Sequence, residues 1–414
     1  MTKIKLLIHA EDGSFPHLSE YLLRKYFNPK DETIKDHFIL GIAVKDTCIQ
    51  PIYTAKESKK KRKRQESDGE EKKVAPKPTG YTFDTATLHE QTRLMEGYNT
   101  FAVPSFDLVD DAKVQMEKDA SNRLKNPQKN STKEGQKSIA SVTSTKNHLS
   151  LITPNGLQQI TPELYTQVGN KLKCDHLLAL FDQANLEEGK KRKAAACERS
   201  KAWLGLCQKS HQSTTECKSK LWAAFSCHDS KWTLNDSIQY ITEYKQSLEG
   251  IAIVGLHHVQ SRAERKDLVK KISSSFNPKP ALAMLAVPDL SQLFDAVECG
   301  TEIISTSLPV TWARSNKLFN VLKVKSEEVG SDGCIDLSDE KYARDTSPLL
   351  EGCQCMSCRD SRYNKAYVHH LIKANELLAQ ILLFGHNLFQ LLTLFKEELS
   401  SDDLDLSKVR ELYE

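Results

Sequence analysis

Three cysteines fall within six positions of the polar stretch EGCQCMSCRD, residues 351–360: Cys353, Cys355 and Cys358. As thiolates they are strong ligands for zinc, whose structural sites are tetrahedral with four donors at about 2.0–2.3 Å. Cys-x-Cys-x-x-Cys in a loop brings three sulfurs to one point, so a fourth ligand must come from elsewhere. The chain offers His369, His370 and His386 downstream. The adjacent pair lies inside a continuous helical pattern, whereas His386 follows Gly385, read as a helix break where a ring can turn toward the loop. On one straight helix from residue 365, His386 would stand roughly 30 Å from the helix start. Either the cysteine loop folds back along that helix, then, or the chain bends before Gly385. The competing reading, three reduced surface thiols, places exposed sulfurs where oxidation finds them easily. A second pattern, Cys197, Cys207, Cys217 and Cys227 at steps of ten, turns each thiol about 80° from the last on a helix. Those four share no face and read as scattered free thiols.

The elements that must carry these residues show in the hydrophobic pattern. HFILGIAV (37–44) and TFAVPSFDLV (100–109) read as strands. From 148 onward the pattern is regular. HLSLIT and LQQIT form a hairpin across PNG, and TPELYTQVGNKL is a helix with Thr161 as N-cap and Pro162 in the first turn. The buried strand HLLALF precedes a long helix through KRKAAACERSKAWLGLCQKS. GIAIVGL (250–256), PALAMLAV (280–287) and EIISTSL (302–308) alternate with the helices SRAERKDLVKKISSSF and DLSQLFDAVECG. Strands buried on both faces, alternating with amphipathic helices, are the signature of parallel β/α units. Four such strands in sequence order, with apolar runs upstream, favour an eight-stranded β/α barrel of the TIM type over an open sheet, followed by a helical C-terminal region. There Tyr367, Leu371, Ala374, Leu378 and Ile381 fall on one stripe, and HNLFQLLTLFKEEL starts a second helix after Gly385.

Two stretches break the globular pattern. Residues 54–80, TAKESKKKRKRQESDGEEKKVAPKPTG, and 117–147 have too little apolar surface to offset their ordering entropy. The expected organisation is barrel in 1–53, 81–116 and 148–340, a disordered charged linker in 54–80, and a polar excursion in 117–147. The metal-binding helices occupy 341–400 and an acidic tail 401–414. The 414 residues are 39% hydrophobic and 27% charged, and the net charge of +3 is too mild to announce a nucleic-acid binder by itself. No apolar run approaches the roughly 18 residues that span a bilayer, and the start, MTKIKLLIHAEDGSF, meets acids too early for a secretory signal. Eleven unevenly spread cysteines argue against a disulfide framework and for a reducing compartment. The expected location is the cytoplasm. KKKRKR (59–64) is a candidate nuclear signal or phosphate-binding run, more often merely solvated.

CQCMSCRDSRYNKAYVHHLIKANELLAQILLFGHN resembles the zinc-binding end of the tRNA-guanine transglycosylases. In that family three cysteines precede an Ala-Tyr-(Leu/Ile/Val)-His-His-Leu helix, and a later His-Asn pair supplies the fourth ligand. Matched residue by residue, the implied ligands of one zinc per chain are Cys353, Cys355, Cys358 and His386. The link between Cys358 and Ala366-Tyr367 is slightly longer than usual. ITPNGLQQITPELYTQV, LLALFDQ, GIAIVGL and PALAMLAVPDLSQLFDAVECGTEI extend the likeness upstream to about residue 148; the first 147 residues match poorly. The family fold is an irregular eight-stranded β/α barrel with a zinc-binding helical subdomain inserted near the C-terminus. Its chemistry is base exchange at a tRNA anticodon: an aspartate attacks the ribose, guanine leaves, and a deazaguanine such as queuine enters.

That chemistry needs a carboxylate able to form and release a glycosyl–enzyme bond. In the family it lies in Gly-(Val/Ile)-Asp-x-Phe-Asp-Cys-x-x-Pro-Thr-Arg. Here the stretch reads GTEIISTSLPVTWAR, with Gly300 and Pro309 in place and Ser305 where the nucleophile should stand. Glu302 is three residues earlier and points to the opposite face. The Asp-Ser-Gly-Gly-Phe segment that supplies the acid/base group is absent; VPSFDLVDD lacks its glycines. Asp182 keeps the base-recognition position, or simply caps a strand end, and Gly255 keeps the family's Gly-Leu step. The resemblance therefore implies the accessory, non-catalytic branch of the eukaryotic enzymes of queuosine biosynthesis, which pairs as a heterodimer with a catalytic homologue. In the family the zinc region forms much of the dimer interface. Arg359, Arg362 and Lys365 are candidate tRNA phosphate contacts, or a solvated helix start. The alternatives are an active base-exchange enzyme with unconventional residues and a stand-alone zinc-dependent RNA-binding protein.

Overall fold

The computed structural model describes residues 3–9, 18–43, 49–52, 80–83, 96–104, 144–153, 156–184, 189–213, 219–227, 234–259, 261–321, 329–330, 332–400 and 404–413. The linker expected at 54–80, apart from Gly80, the basic run 59–64, and the excursion at 117–147, apart from its last four residues, lie outside them.

Eight strands close into a barrel: β1 (Lys5–His9), β2 (Phe38–Ala43), β3 (Asn99–Val103), β4 (His176–Leu178), β5 (Lys220–Ser226), β6 (Gly250–Val254), β7 (Ala281–Val287) and β8 (Ile303–Thr306). All neighbours are parallel and follow chain order, with Leu7 opposite Ser305 where β1 meets β8. Successive side chains on a strand point to opposite faces. One set, including Leu7, Ile39, Phe101, Leu178, Trp222, Ala252, Ala283 and Ile303, fills the barrel axis. The other, including Leu6, Leu40, Ala102, Leu177, Leu221, Ile251, Leu282 and Ile304, packs under the helices. Both sets are buried, which is why these strands read as continuous apolar runs; each fully buried Leu or Ile contributes about 1.5–3 kcal/mol. Gly250 is required by this packing. A methyl group there would lie 2.4 Å from the Ala281 carbonyl oxygen and 2.5 Å from the Trp222 ring. The barrel is irregular between β7 and β8, where the register shifts between Met284 and Val287 and Ala286 has φ of +59°.

The helices, in chain order, are α1 (Glu20–Tyr26), α2 (Glu32–His37), α3 (Pro162–Leu172), α4 (Lys190–Gln212), α5 (Leu234–Tyr244), α6 (Arg262–Ser274), α7 (Leu290–Glu298), α8 (Leu308–Arg314), α9 (Lys365–Lys373), α10 (Leu377–Thr393) and α11 (Leu406–Tyr413). Thr161 caps α3 by accepting from Leu164 N at 3.2 Å, and the expected hairpin pairs Leu149–Thr153 with Gly156–Ile160.

The C-terminal region departs from expectation in four ways. The helix break lies at residues 374–376, where Asn375 has φ of +54°, and α10 runs straight through Gly385. The expected stripe fails: Tyr367 and Ala374 are exposed, Leu378 and Ile381 half-buried, and only Leu371 is buried. The break resets the helical phase for Leu378 and Ile381, while on α9 the core side is set by Val368 and Leu371. Val368, Ala379, Leu382, Leu383 and Phe384 face the core instead. The stretch from Leu377 to Leu399 is, by length and composition, able to cross a membrane, contrary to the expectation of no such run. However, 67% of its apolar window is buried within the fold. Finally, the segment expected as an acidic tail contains α11, with Val409, Arg410 and Tyr413 buried against the barrel helices.

Candidate metal centre and barrel mouth

The cysteine loop lies against the middle of α10. Ser357 Oγ donates to Leu382 O at 2.7 Å, and a Cβ at Gly385 would sit 2.5 Å from Met356 Sδ. Gly385 thus serves close approach of loop to helix. This contact brings Cys353, Cys355, Cys358 and His386 together, with one donor atom from each within 4.8 Å of the others. His386 Nδ1 lies 3.4 Å from Cys355 Sγ, 3.3 Å from Cys358 Sγ and 4.0 Å from Cys353 Sγ. Metal–sulfur bonds of about 2.3 Å and metal–nitrogen bonds of about 2.0–2.1 Å at tetrahedral angles put S and N about 3.5 Å apart. The donor set fits a single metal ion. All four residues are buried, Cys353 the least deeply.

The imidazole is oriented from behind. His386 Nε2 is 2.8 Å from Asn320 Oδ1 and 3.1 Å from Phe319 O. Both are acceptors, so Nε2 carries a hydrogen and Nδ1 is the ring nitrogen that faces the thiols, the one whose lone pair a metal would take. Hydrogen bonds from Cys355 and Cys358 hold the Cys353 thiol well below its ordinary value, while hydrogen bonds with Cys353 and Cys355 push Cys358 up. Burial alone would lower His386, but hydrogen bonds to Cys353 and Cys355 override it and raise the imidazole to about 9.

His369 and His370, the other candidates, stand apart from the cluster. His369 Nδ1 is 2.9 Å from Leu337 O, and His370 is exposed. Of the expected phosphate contacts, Arg359 and Arg362 are exposed, and the Arg362 guanidinium lies over the Tyr363 ring. Lys365 pairs with Asp345 at 3.4 Å.

At the barrel mouth, Ser305 is fully buried and shares its face of β8 with Ile303. Asp182, just past β4, is almost fully buried and clamped by two arginines of α4. Arg192 binds it through two nitrogens at 2.9 and 3.0 Å, and Arg199 Nε lies 2.5 Å from Oδ2. Ser200 Oγ accepts from the Asp182 backbone N–H at 3.0 Å. Both carboxylate oxygens are thereby engaged from within the chain. Gly255 follows β6 with φ of +76° and starts the turn Leu256–His258, whose two histidine rings lie 4.0 Å apart. The i, i+7 spacing of Arg192 and Arg199 places both on one helix face, a readable signal that sequence reasoning passed over. Nothing in the sequence pointed to Asn320 or Gln390 beside the metal ligands.

A family model described as queuine tRNA-ribosyltransferase matches residues 94–399. Among curated relatives, a protein of Aedes aegypti named queuine tRNA-ribosyltransferase accessory subunit 2 is 27% identical over 273 residues, covering 63% of this chain and 64% of the relative. The Schizosaccharomyces pombe protein of the same name is 28% identical over 300 residues, covering 66% and 62%. A Clostridium acetobutylicum queuine tRNA-ribosyltransferase is 30% identical over 161 residues, covering 39% and 40%. The chain spans a little under two thirds of the length of these accessory-subunit relatives.

Proposed function

This chain belongs to the queuine tRNA-ribosyltransferase family, and on that premise we propose that it is a non-catalytic subunit of a heterodimeric tRNA-guanine transglycosylase. Its role is to supply a docking surface and part of the tRNA grip while a catalytic partner exchanges guanine for queuine at the anticodon wobble position. One observation carries this reading. The position of the nucleophilic carboxylate holds Ser305, a neutral hydroxyl sealed inside the barrel. Covalent base exchange needs an accessible group that can attack and leave as an anion. Asp182, the surviving acid, is spoken for by Arg192 and Arg199.

The metal is zinc in this proposal, because three thiolates and one imidazole are a typical structural zinc set, and four protein donors leave no position for water or substrate. Bound there, the ion supplies cross-linking: it fastens the cysteine loop to α10. Near that loop the surface is apolar. Leu377 is 63% exposed and Tyr367 40% exposed, with Tyr363 stacked on Tyr367 at 5.6 Å and Leu378 and Ile381 half-buried. This is the face we assign to the partner subunit, with Arg359 and Arg362 at its edge for tRNA phosphate. The accessory-subunit names of the relatives support the assignment, and the cytoplasm is its proposed location.

The test mixes the metal-loaded chain with a catalytic family member and measures mass in solution alongside queuine incorporation into tRNA. The expected result is a one-to-one complex required for exchange, lost with Leu377→Asp. No complex, together with a partner rate indifferent to this chain, would overturn the proposal.

A further inference from the structure

Three side chains on one side of α10 address the backbone of residues 317–321. Asn387 Oδ1 accepts from Phe319 N at 2.9 Å, and its Nδ2 donates to Lys317 O at 3.0 Å. Gln390 Oε1 accepts from Val321 N at 3.1 Å. His386 Nε2 donates toward Asn320 Oδ1 and Phe319 O. On its other edge, the strand Lys317–Phe319 pairs antiparallel with Cys334–Asp336. Among the described residues, helix side chains therefore fill the edge of this strand that no second strand pairs with. All four polar residues, Asn320, His386, Asn387 and Gln390, are buried, where an unmade hydrogen bond is costly.

Two of these side chains also reach the cysteines. Gln390 Nε2 donates to Cys353 Sγ at 3.3 Å while its Oε1 holds Val321. His386 turns Nδ1 to the thiols while Nε2 holds the same strand. A single amide and a single imidazole thus bridge the four-ligand centre and the strand. The strand in turn carries Phe319, which stacks on Trp312 of α8 at 4.5 Å and on Tyr413 of α11 at 5.9 Å.

We infer that Gln390, Asn387 and Asn320 are positioning residues that join the metal centre to residues 317–321, so that metal loading and the ordering of this strand are one cooperative event. The hydrogen bond from Gln390 draws charge from the Cys353 thiolate. Asn320 fixes the imidazole tautomer. Asn387 holds the strand in the register that both contacts need. Partners of this kind typically contribute about 10- to 100-fold to metal affinity. Stripping the metal frees the Cys353 and His386 ends of the bridges, so the Gln390 acceptor of Val321 N and the His386 donor to Phe319 O are no longer held, and the strand loosens against Asn387.

The inference rests on the metal reading above, and the experiment separates the two. Hydrogen exchange is compared in the zinc-loaded and chelator-treated chain, and cobalt is then substituted for zinc in wild type, Gln390→Glu and Gln390→Leu. Chelation should speed exchange at the Phe319 and Val321 amides at least tenfold, with barrel-strand amides unchanged. Gln390→Glu keeps an acceptor for Val321 N but has no N–H for the thiolate. It should lose about 10- to 100-fold in metal affinity and shift the sulfur-to-cobalt charge-transfer band while Val321 stays protected in the loaded form. Gln390→Leu should lose both. A chain that takes up no metal refutes the metal reading. Metal uptake with indifferent Phe319 and Val321 amides, or with affinity and band unchanged in Gln390→Glu, refutes the coupling alone.

Discussion

Replacing Asp182 with asparagine separates an acid kept for base recognition from one used up in structure. In the native chain its carboxylate accepts three charged hydrogen bonds, two from Arg192 and one from Arg199. Asparagine keeps the shape but offers one acceptor oxygen, and its amide hydrogens face guanidinium hydrogens. Breaking a buried ion pair by removing one partner costs about 3–5 kcal/mol. Arg192 has 29% of its side chain exposed and can rehydrate, whereas Arg199, at 14%, has less access to water. The lower end, about 3 kcal/mol, is therefore expected. Trp203 is fully buried on the same helix and donates to Lys146 O at 2.9 Å, and Trp222 and Trp312 are buried too, so tryptophan fluorescence follows global unfolding in urea. With a urea slope of about 3 kcal/mol/M, the midpoint should fall by about 1 M. A cycle with Arg199→Met should show coupling of about 1–3 kcal/mol. A shift below about 0.5 kcal/mol, the size of an ordinary surface substitution, would refute the clamp and return Asp182 to the candidate base-binding groups.

Three further outcomes follow from the same geometry. Burial lowers the His176 imidazole to about 4, where it accepts from Trp222 Nε1 at 3.0 Å. The folded value lies below the unfolded 6.5, so stability should be complete above that pH and fall by about 3 kcal/mol toward pH 4. His176→Gln should flatten that slope in denaturant titrations, and an unchanged slope would contradict the assignment. Metal uptake must expel the His386 proton, held up to about 9, so apparent affinity should rise at least about tenfold per pH unit between 7 and 8. Calorimetry in two buffers of different ionisation enthalpy reads this directly, and equal heats would count against it. Gly250→Ala drives a methyl group against the Ala281 carbonyl oxygen and Trp222. It should cost about 1–3 kcal/mol or more, seen as a lower urea midpoint, and an unchanged midpoint would mean the barrel axis has slack.

The barrel was legible because β4, β6, β7 and β8 are buried on both faces, which leaves continuous apolar runs between helices of clear period. The four clustered side chains were legible because sulfur spacing survives any error in secondary structure. The path joining them was not. Gly385 reads as a helix breaker from composition, but in the structure it gives Met356 room, and the turn falls at Asn375, with φ of +54°, a residue type that also ends helices in the left-handed region but less often than glycine. Misplacing that break put half-buried Leu378 and Ile381 on the predicted stripe in place of buried Ala379 and Leu382. Long-range polar contacts were equally hidden: Asn387 meets residues 317–319, and Arg410 reaches Asp295 across 115 positions. No periodicity encodes such pairs. Ser305 was identifiable by its place in a motif, but its complete burial needed the closed barrel.

The central claim, that this barrel has lost its chemistry, is tested most directly by incubating the purified, metal-loaded chain alone with unmodified tRNA and labelled guanine. No label should enter the tRNA without a catalytic partner, and adding that partner should start incorporation. Label incorporated by the isolated chain, and abolished by Ser305→Ala or Asp182→Asn, would contradict the account.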